Sequence, residues 1–146
     1  MKILVAWIKS GGKAPAPIQE LAADYAKRIG RYNSAIELAE FRDEPRMLDA
    51  VARSGGKLIL LDSRGRQFSS EQFANFIRDQ QDSAVSQMVF AIGPHDGFSD
   101  AARSRAHLML SLGAMTLPHE FARVVLLEQI YRAFTILKGH PYHLGH

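Results

Sequence analysis

Leu110-Ser111-Leu112-Gly113-Ala114-Met115-Thr116-Leu117-Pro118-His119 decides the fold. A short apolar run gives way to small and turn-forming residues, and a proline then opens a long apolar helix from about Glu120 to Lys138. Strand end, small-residue loop and helix start in succession make a βα turn, where backbone amides collect without intramolecular partners. Such a turn is a natural cradle for the polar edge of a cofactor. Beyond the helix the chain continues through Gly139-His140-Pro141-Tyr142-His143, which offers Tyr142 and His143 to a site. The plainer reading of both features is a connecting turn and a frayed end.

Working outward from that turn, apolar runs alternate with amphipathic stretches. Lys2 to Ile8 reads as a buried strand, Ile18 to Ile29 as a helix with Ile18, Leu21, Ala22, Tyr25 and Ile29 on one face, and Ala35 to Ala39 as a second strand. Met47, Leu48 and Val51 mark a short helix closed by Gly55-Gly56, and Leu58 to Leu61 is a compact strand. Ser69, with Gln72 three residues on, forms a capping box for a helix through Phe73, Phe76 and Ile77. Met88 to Ile92 is the next strand, Ser99 caps a helix over Ala101 to Arg105, and Leu108 to Leu110 is the last strand. The pattern predicts an α/β fold, a mostly parallel sheet with helices on both faces. Neither a linker nor a solenoid repeat interrupts it, so residues 1–146 read as one domain.

The final helix is apolar around much of its circumference: Phe121, Val124, Val125, Leu126, Leu127, Ile130, Tyr131, Phe134, Ile136 and Leu137 exceed a single stripe. It is therefore either central to the core or in contact with a second subunit. A homodimer interface over 120–138 is the expectation.

Composition narrows the chemistry. The absence of cysteine excludes thiolate catalysis, cysteine zinc sites and disulfides. The opening apolar run is too short to span a membrane and is followed by Lys9-Ser10-Gly11-Gly12-Lys13 rather than a small-residue cleavage site, so a soluble, cytoplasmic protein is expected. The net charge of +3 is uneven, with 12 Lys or Arg against 8 Asp or Glu up to Arg66 and 6 against 7 thereafter. A modest basic excess fits a polyanion partner without requiring one. The two Ser-Gly-Gly-Lys stretches lack phosphate-loop spacing, no Gly-x-Gly-x-x-Gly follows the first strand, and no Gly-x-Ser-x-Gly elbow exists. His140, His143 and His146 recur at spacing three, but Pro141 breaks helical facing and no carboxylate is near in sequence, so no metal site is expected.

Three strand ends carry candidate loops: Leu61-Asp62-Ser63-Arg64-Gly65, Ile92-Gly93-Pro94-His95-Asp96-Gly97, and Ser111 to His119. In open α/β sheets such loops line the ligand crevice. Taken with Arg-Val-x-x-x-Glu-x-x-Tyr-Arg-Ala from Arg123 and His-Pro-Tyr-His from His140, they resemble the ribosomal RNA large subunit methyltransferase H family over nearly the whole chain. These are small SPOUT-class enzymes that methylate ring nitrogen 3 of a pseudouridine in 23S ribosomal RNA. The resemblance implies a C-terminal trefoil knot, which general topology rules disfavour. It also implies S-adenosylmethionine as cofactor, an obligate homodimer, and the large subunit or 70S ribosome as partner.

Carried over by position, the cofactor loops are Leu61; Gly93 with Pro94; and Leu112, Gly113, Ala114, Met115, Thr116, Leu117 and Pro118. Pro94 departs from the family's usual second glycine, and Leu144 stands where a basic residue commonly follows Tyr-His. Proline has no N–H to give. Methyl transfer to an imide nitrogen requires loss of its proton or stabilisation of the anion. Tyr142 and His143 are the candidates for contacting the base and handling that proton, with Arg132 as electrostatic stabiliser or phosphate anchor; an ion pair with Glu128 is the structural alternative for Arg132. A non-catalytic RNA- or ribosome-binding module, or a methyltransferase for another RNA such as tRNA, are the rival readings.

Overall fold

The computed structural model describes residues 1–32 and 34–144. Among them the elements run β1 (Lys2–Ile8), α1 (Ala16–Gly30), β2 (Ala35–Phe41), α2 (Glu44–Ser54), β3 (Lys57–Gln67), α3 (Ser70–Asp82), β4 (Gln87–Ile92), α4 (Asp100–Arg105), β5 (Leu108–Ser111) and α5 (His119–Lys138). The strands form one parallel sheet in the order β2-β1-β4-β3-β5. This is the α/β architecture that the alternating pattern predicts.

Period-two alternation on β1 builds two cores. Ile3 and Val5 face a cluster shared with α1, α3 and α5, while Leu4, Ala6 and Ile8 face Met47, Leu48 and Val51 of α2, Ala102 of α4, and Phe98. Central β4 is buried at every position, as a strand covered on both faces must be. Local signals set the helix ends: Ser69 and Gln72 form the expected capping box, Ser99 accepts from the Ala102 amide, and Gly55 closes α2 at φ +69. The second helix begins before its apolar pattern does, because the Asp43 side chain accepts from the Arg46 amide and nucleates the first turn.

One sequence expectation needs correction, and a second is narrowed. The third strand does not stop at Leu61 but continues to Gln67. Leu61 and Arg66 both pair with Leu110, so residues 62–65 arch out between them. A Cβ on Gly65 would lie 2.6 Å from the Met109 backbone, which is why a glycine stands where the arch crosses β5. The second concerns α5. Leu126, Leu127, Ile130, Ala133 and Phe134 are buried between the sheet, α1 and α3, so much of its apolar surface serves the core of one chain. Phe121 is exposed and Val124, Val125, Tyr131, Ile136 and Leu137 are half-buried, and these are the positions left for a subunit contact.

The crossing at Gly65 gives a stability test. Gly65→Ala forces the Met109 backbone to move and should cost about 1–3 kcal/mol, lowering the melting temperature by several degrees. Gly12→Ala, where nothing lies within 4 Å, should leave it within a degree or so. Equal melting temperatures for the two variants would contradict the crossing.

Candidate functional site

The carboxyl ends of β3, β4 and β5 open into one cavity of about 840 Å³. Its wall includes Leu61, Gly93, Pro94, Leu112, Gly113, Met115, Thr116, Leu117 and Pro118. Of the ten residues marked as cofactor loops, only Ala114 is not on the wall; it lies on the same loop, exposed.

The loop after β5 is held at its base and open above it. Buried Ser111 accepts from the Gly113 amide through Oγ at 3.1 Å and donates to the Gly113 carbonyl at 3.0 Å. Gly113 has φ +146, a backbone angle that side-chain-bearing residues seldom take. Among the described residues, no acceptor within the chain meets the amides of Ala114, Met115, Thr116 or Leu117. α5 then begins at His119, with Pro118 as an N-cap that makes no side-chain hydrogen bond, so its first amides lack a side-chain cap beside the cavity. The cradle therefore presents donors together with the apolar side chains of Leu61, Ile92, Leu110 and Leu117.

The loop after β4 accounts for the Pro94 departure. The Pro94 carbonyl accepts from the Gly97 amide at 2.9 Å, closing a turn that ends on Gly97 at φ +86. Proline is at home there. The position that tolerates no side chain is Gly93, where a Cβ would come within 2.9 Å of the Phe98 ring. On the β3 arch, Asp62 Oδ1 accepts from the Arg64 amide at 2.8 Å, and Arg103 approaches Oδ2 at 3.4 Å. The Arg64 amide chiefly, with the Arg64 and Arg103 side chains, holds the Asp62 carboxyl below its ordinary range against the opposing effect of burial. Arg103 carries no sequence signal of this role, because its approach to Asp62 exists only in three dimensions.

The catalytic candidates are brought together, but elsewhere. Arg132 donates from Nε to Glu128 at 2.9 Å and from Nη1 to His143 Nδ1 at 3.0 Å, and Tyr142 donates to Glu128 at 3.2 Å. An arginine only donates, so His143 Nδ1 carries no proton here and Nε2–H donates to Glu71 at 2.7 Å. Burial, then Tyr25 and Glu128, push the Tyr142 phenol well up, which keeps it a donor. The Glu128 hydrogen bond raises Arg132. The ion pair of Arg132 with Glu128 is therefore present, and Arg132 reaches the tail as well. None of Arg132, Tyr142 and His143 lines the cavity, which sits at the opposite end of α5.

Among the described residues no three His, Asp or Glu side chains are grouped to hold a metal, and His146 lies outside them. No helix among them is long and apolar enough to cross a membrane.

Residues 1–143 match the family model described as Predicted SPOUT methyltransferase. The chain belongs to that family. It is 48% identical to Ribosomal RNA large subunit methyltransferase H of Koribacter versatilis (strain Ellin345), all of both chains being covered. It is 40% identical to the protein of that name from Geotalea daltonii, over 98% of this chain and 99% of the relative. Among solved structures, a probable methylase family protein from Haemophilus influenzae Rd KW20 superposes with TM-score 0.56 at 14% identity, over 97% of this chain and 70% of the other. The SpoU methyltransferase AviRb from Streptomyces viridochromogenes gives 0.51 at 15% identity, over 94% and 60%. These likenesses match the sheet and helices described above.

Asp62 offers a pH test. Its folded pKa is depressed, so its contribution to stability is complete above the unfolded value of about 3.9 and is lost as pH falls through the lower folded value. Wild type should therefore melt higher than Asp62→Asn at pH 7, with the gap closing as pH drops below about 4. A gap independent of pH would contradict the assignment.

Proposed function

We propose that this chain is an S-adenosylmethionine-dependent methyltransferase acting on ribosomal RNA, at ring nitrogen 3 of a pseudouridine in the 23S molecule within the large subunit or the 70S ribosome. The observation that carries the reading is the cavity itself. Nine of the ten loop residues marked in the sequence converge on it, in a chain of the SPOUT methyltransferase family. The residues present suit the cofactor: the unengaged amides over 114–117 complement the acceptor edges of adenine and ribose, the uncapped start of α5 suits a carboxylate, and Leu61, Ile92 and Leu117 offer an apolar wall. S-adenosylmethionine, when bound, supplies an electrophilic methyl group on a positively charged sulfur.

The chain's part in the reaction is placement and charge. The N3–H proton of the acceptor base must leave as the N–CH3 bond forms, and a guanidinium close to the imide favours the developing anion. Arg132 fills that role in our reading, held by Glu128 and steered by His143 and Tyr142. His143 can take the departing proton at Nδ1 only after that atom leaves Arg132.

The α5 geometry supports a homodimer. From Glu120 at the cavity to Arg132 the helix rises about 18 Å, at about 1.5 Å per residue, and none of Arg132, Tyr142 and His143 lines the cavity of its own chain. A twofold partner with α5 reversed would bring the two together, and exposed Met115 and Leu117 on the cavity wall, with exposed Phe121 on the first turn of α5, suit such a contact. A single cytoplasmic SPOUT domain over 1–146, with a trefoil knot in its C-terminal part, completes the proposal; family membership supports it.

Three measurements test this reading. Mapping of methylated nucleotides should show one 23S pseudouridine losing its methyl group in cells lacking the protein; an unchanged map, or a methyl group lost from tRNA instead, would overturn it. Gly113→Val, which strains a positive-φ position facing open space, should weaken S-adenosylmethionine binding at least tenfold by calorimetry. A chain ending at Gly139 should bind the cofactor normally yet lose at least tenfold in methyl transfer to ribosomal particles, about 1.4 kcal/mol. Full activity of that chain would remove the tail from the mechanism.

A further inference from the structure

A second cavity, of about 590 Å³, opens on the other side of the α5 start, at the ends of β1 and β2. It shares His119 and Glu120 with the cofactor cavity, so the two are neighbours across the first turn of the helix. Its distinctive residue is Arg123. The side chain is 9% exposed, its guanidinium carbon lies 3.6 Å from the centre of the Trp7 ring, and no hydrogen bond joins it to any described residue. Nε is buried without a partner. Burial draws its pKa down although the Glu40 and Glu120 carboxylates oppose that.

A guanidinium whose Nε is buried without a partner, and whose other donors meet no acceptor among the described residues, is an arrangement that a bound ligand or water would complete. The surroundings narrow the ligand's chemistry. Trp7 supplies an aromatic wall, with its indole N–H donated to Glu40 at 3.2 Å, and Glu40 and Glu120 bring acceptors beside the arginine's donors. A phosphate would satisfy Arg123 but face both carboxylates. A ring carrying a carbonyl oxygen next to an N–H, with a flat π face, matches all three features.

We propose that this cavity holds a uracil-type base of the RNA, its carbonyl accepting from Arg123 and its imide N–H donating to a carboxylate, beside the methyl-transfer site. The inference rests on the function proposed above, and its test is separable from it.

Trp7 is the only tryptophan in the chain, so its fluorescence reports on this cavity alone. Titrating the intact protein with oligouridylate should give a saturable change, with affinity at least tenfold above that for oligocytidylate of equal length, whose base lacks the imide N–H. Arg123→Gln should abolish the preference while S-adenosylmethionine binding by calorimetry and the light-scattering mass stay unchanged. Glu40→Ala, at an exposed position whose loss leaves the core untouched, should narrow the preference several-fold even if the arginine variant fails to fold. Equal affinity for the two oligonucleotides, or the same response to inorganic phosphate alone, would overturn the proposal. So would dissociation of a dimer by Arg123→Gln, which would make the cavity a subunit contact. None of these results touches methyl transfer by the wild type, whose absence would instead sink the proposed function.

Discussion

Helix α5 is the constraint on which the rest of the molecule depends. Its buried face closes the core between α1 and α3, so it is fixed as a rigid rod. Its start forms the rim of the cofactor cavity, and its middle turns carry Glu128 and Arg132, which receive the tail. A rise of about 18 Å from Glu120 to Arg132 separates the two sets of groups within one chain. Methyl transfer needs reacting atoms within about 3–3.5 Å, so if Arg132 and the tail act on the acceptor base, as proposed, the site is assembled from two chains or by release of the tail. The tail is tied to α3 through Glu71 and to α5 through Arg132, which favours assembly from two chains.

The start of α5 separates two environments. On one side, unengaged loop amides and apolar side chains suit a cofactor with many acceptor edges. On the other, Arg123 stacks on Trp7 with its Nε buried and without a partner. The first turn of a helix is a favourable place for such a division, because its own amides also lack intrahelical partners. Both cavities lie at the carboxyl ends of parallel strands, where open α/β sheets place ligands.

Much of this was legible in the sequence because it is local. Ser69 with Gln72, Ser99, and Gly55 set helix ends by contacts within a few residues, and the alternation along β1 assigned both faces. The loops after β3, β4 and β5 could be marked because each strand's apolar run stops at turn-forming residues. The arch at 62–65 was hidden, since β3 resumes pairing with Leu110 only after an interruption that reads as a loop. The apolar girth of α5 was ambiguous for a different reason: burial by α1 and α3 and burial by a partner leave the same pattern on a helix. Arg123 showed in the sequence only that it has no obvious helical partner, and Arg103 gave no signal, because an arginine's meaning depends on what fails to meet it in space.

The central claim is that the cavity of one protomer works with the tail of its partner. Complementation between two inactive chains tests it directly. Gly113→Val, with its tail intact, and a chain ending at Gly139, with its cavity intact, are mixed under conditions that allow subunit exchange. Ribosomal particles are then assayed for methyl transfer. The account predicts that each chain alone is inactive and that the mixture recovers about a quarter of the wild-type rate, since half the dimers are mixed and each mixed dimer holds one whole site of two. A mixture as inactive as its components, with exchange verified by mass, would contradict it.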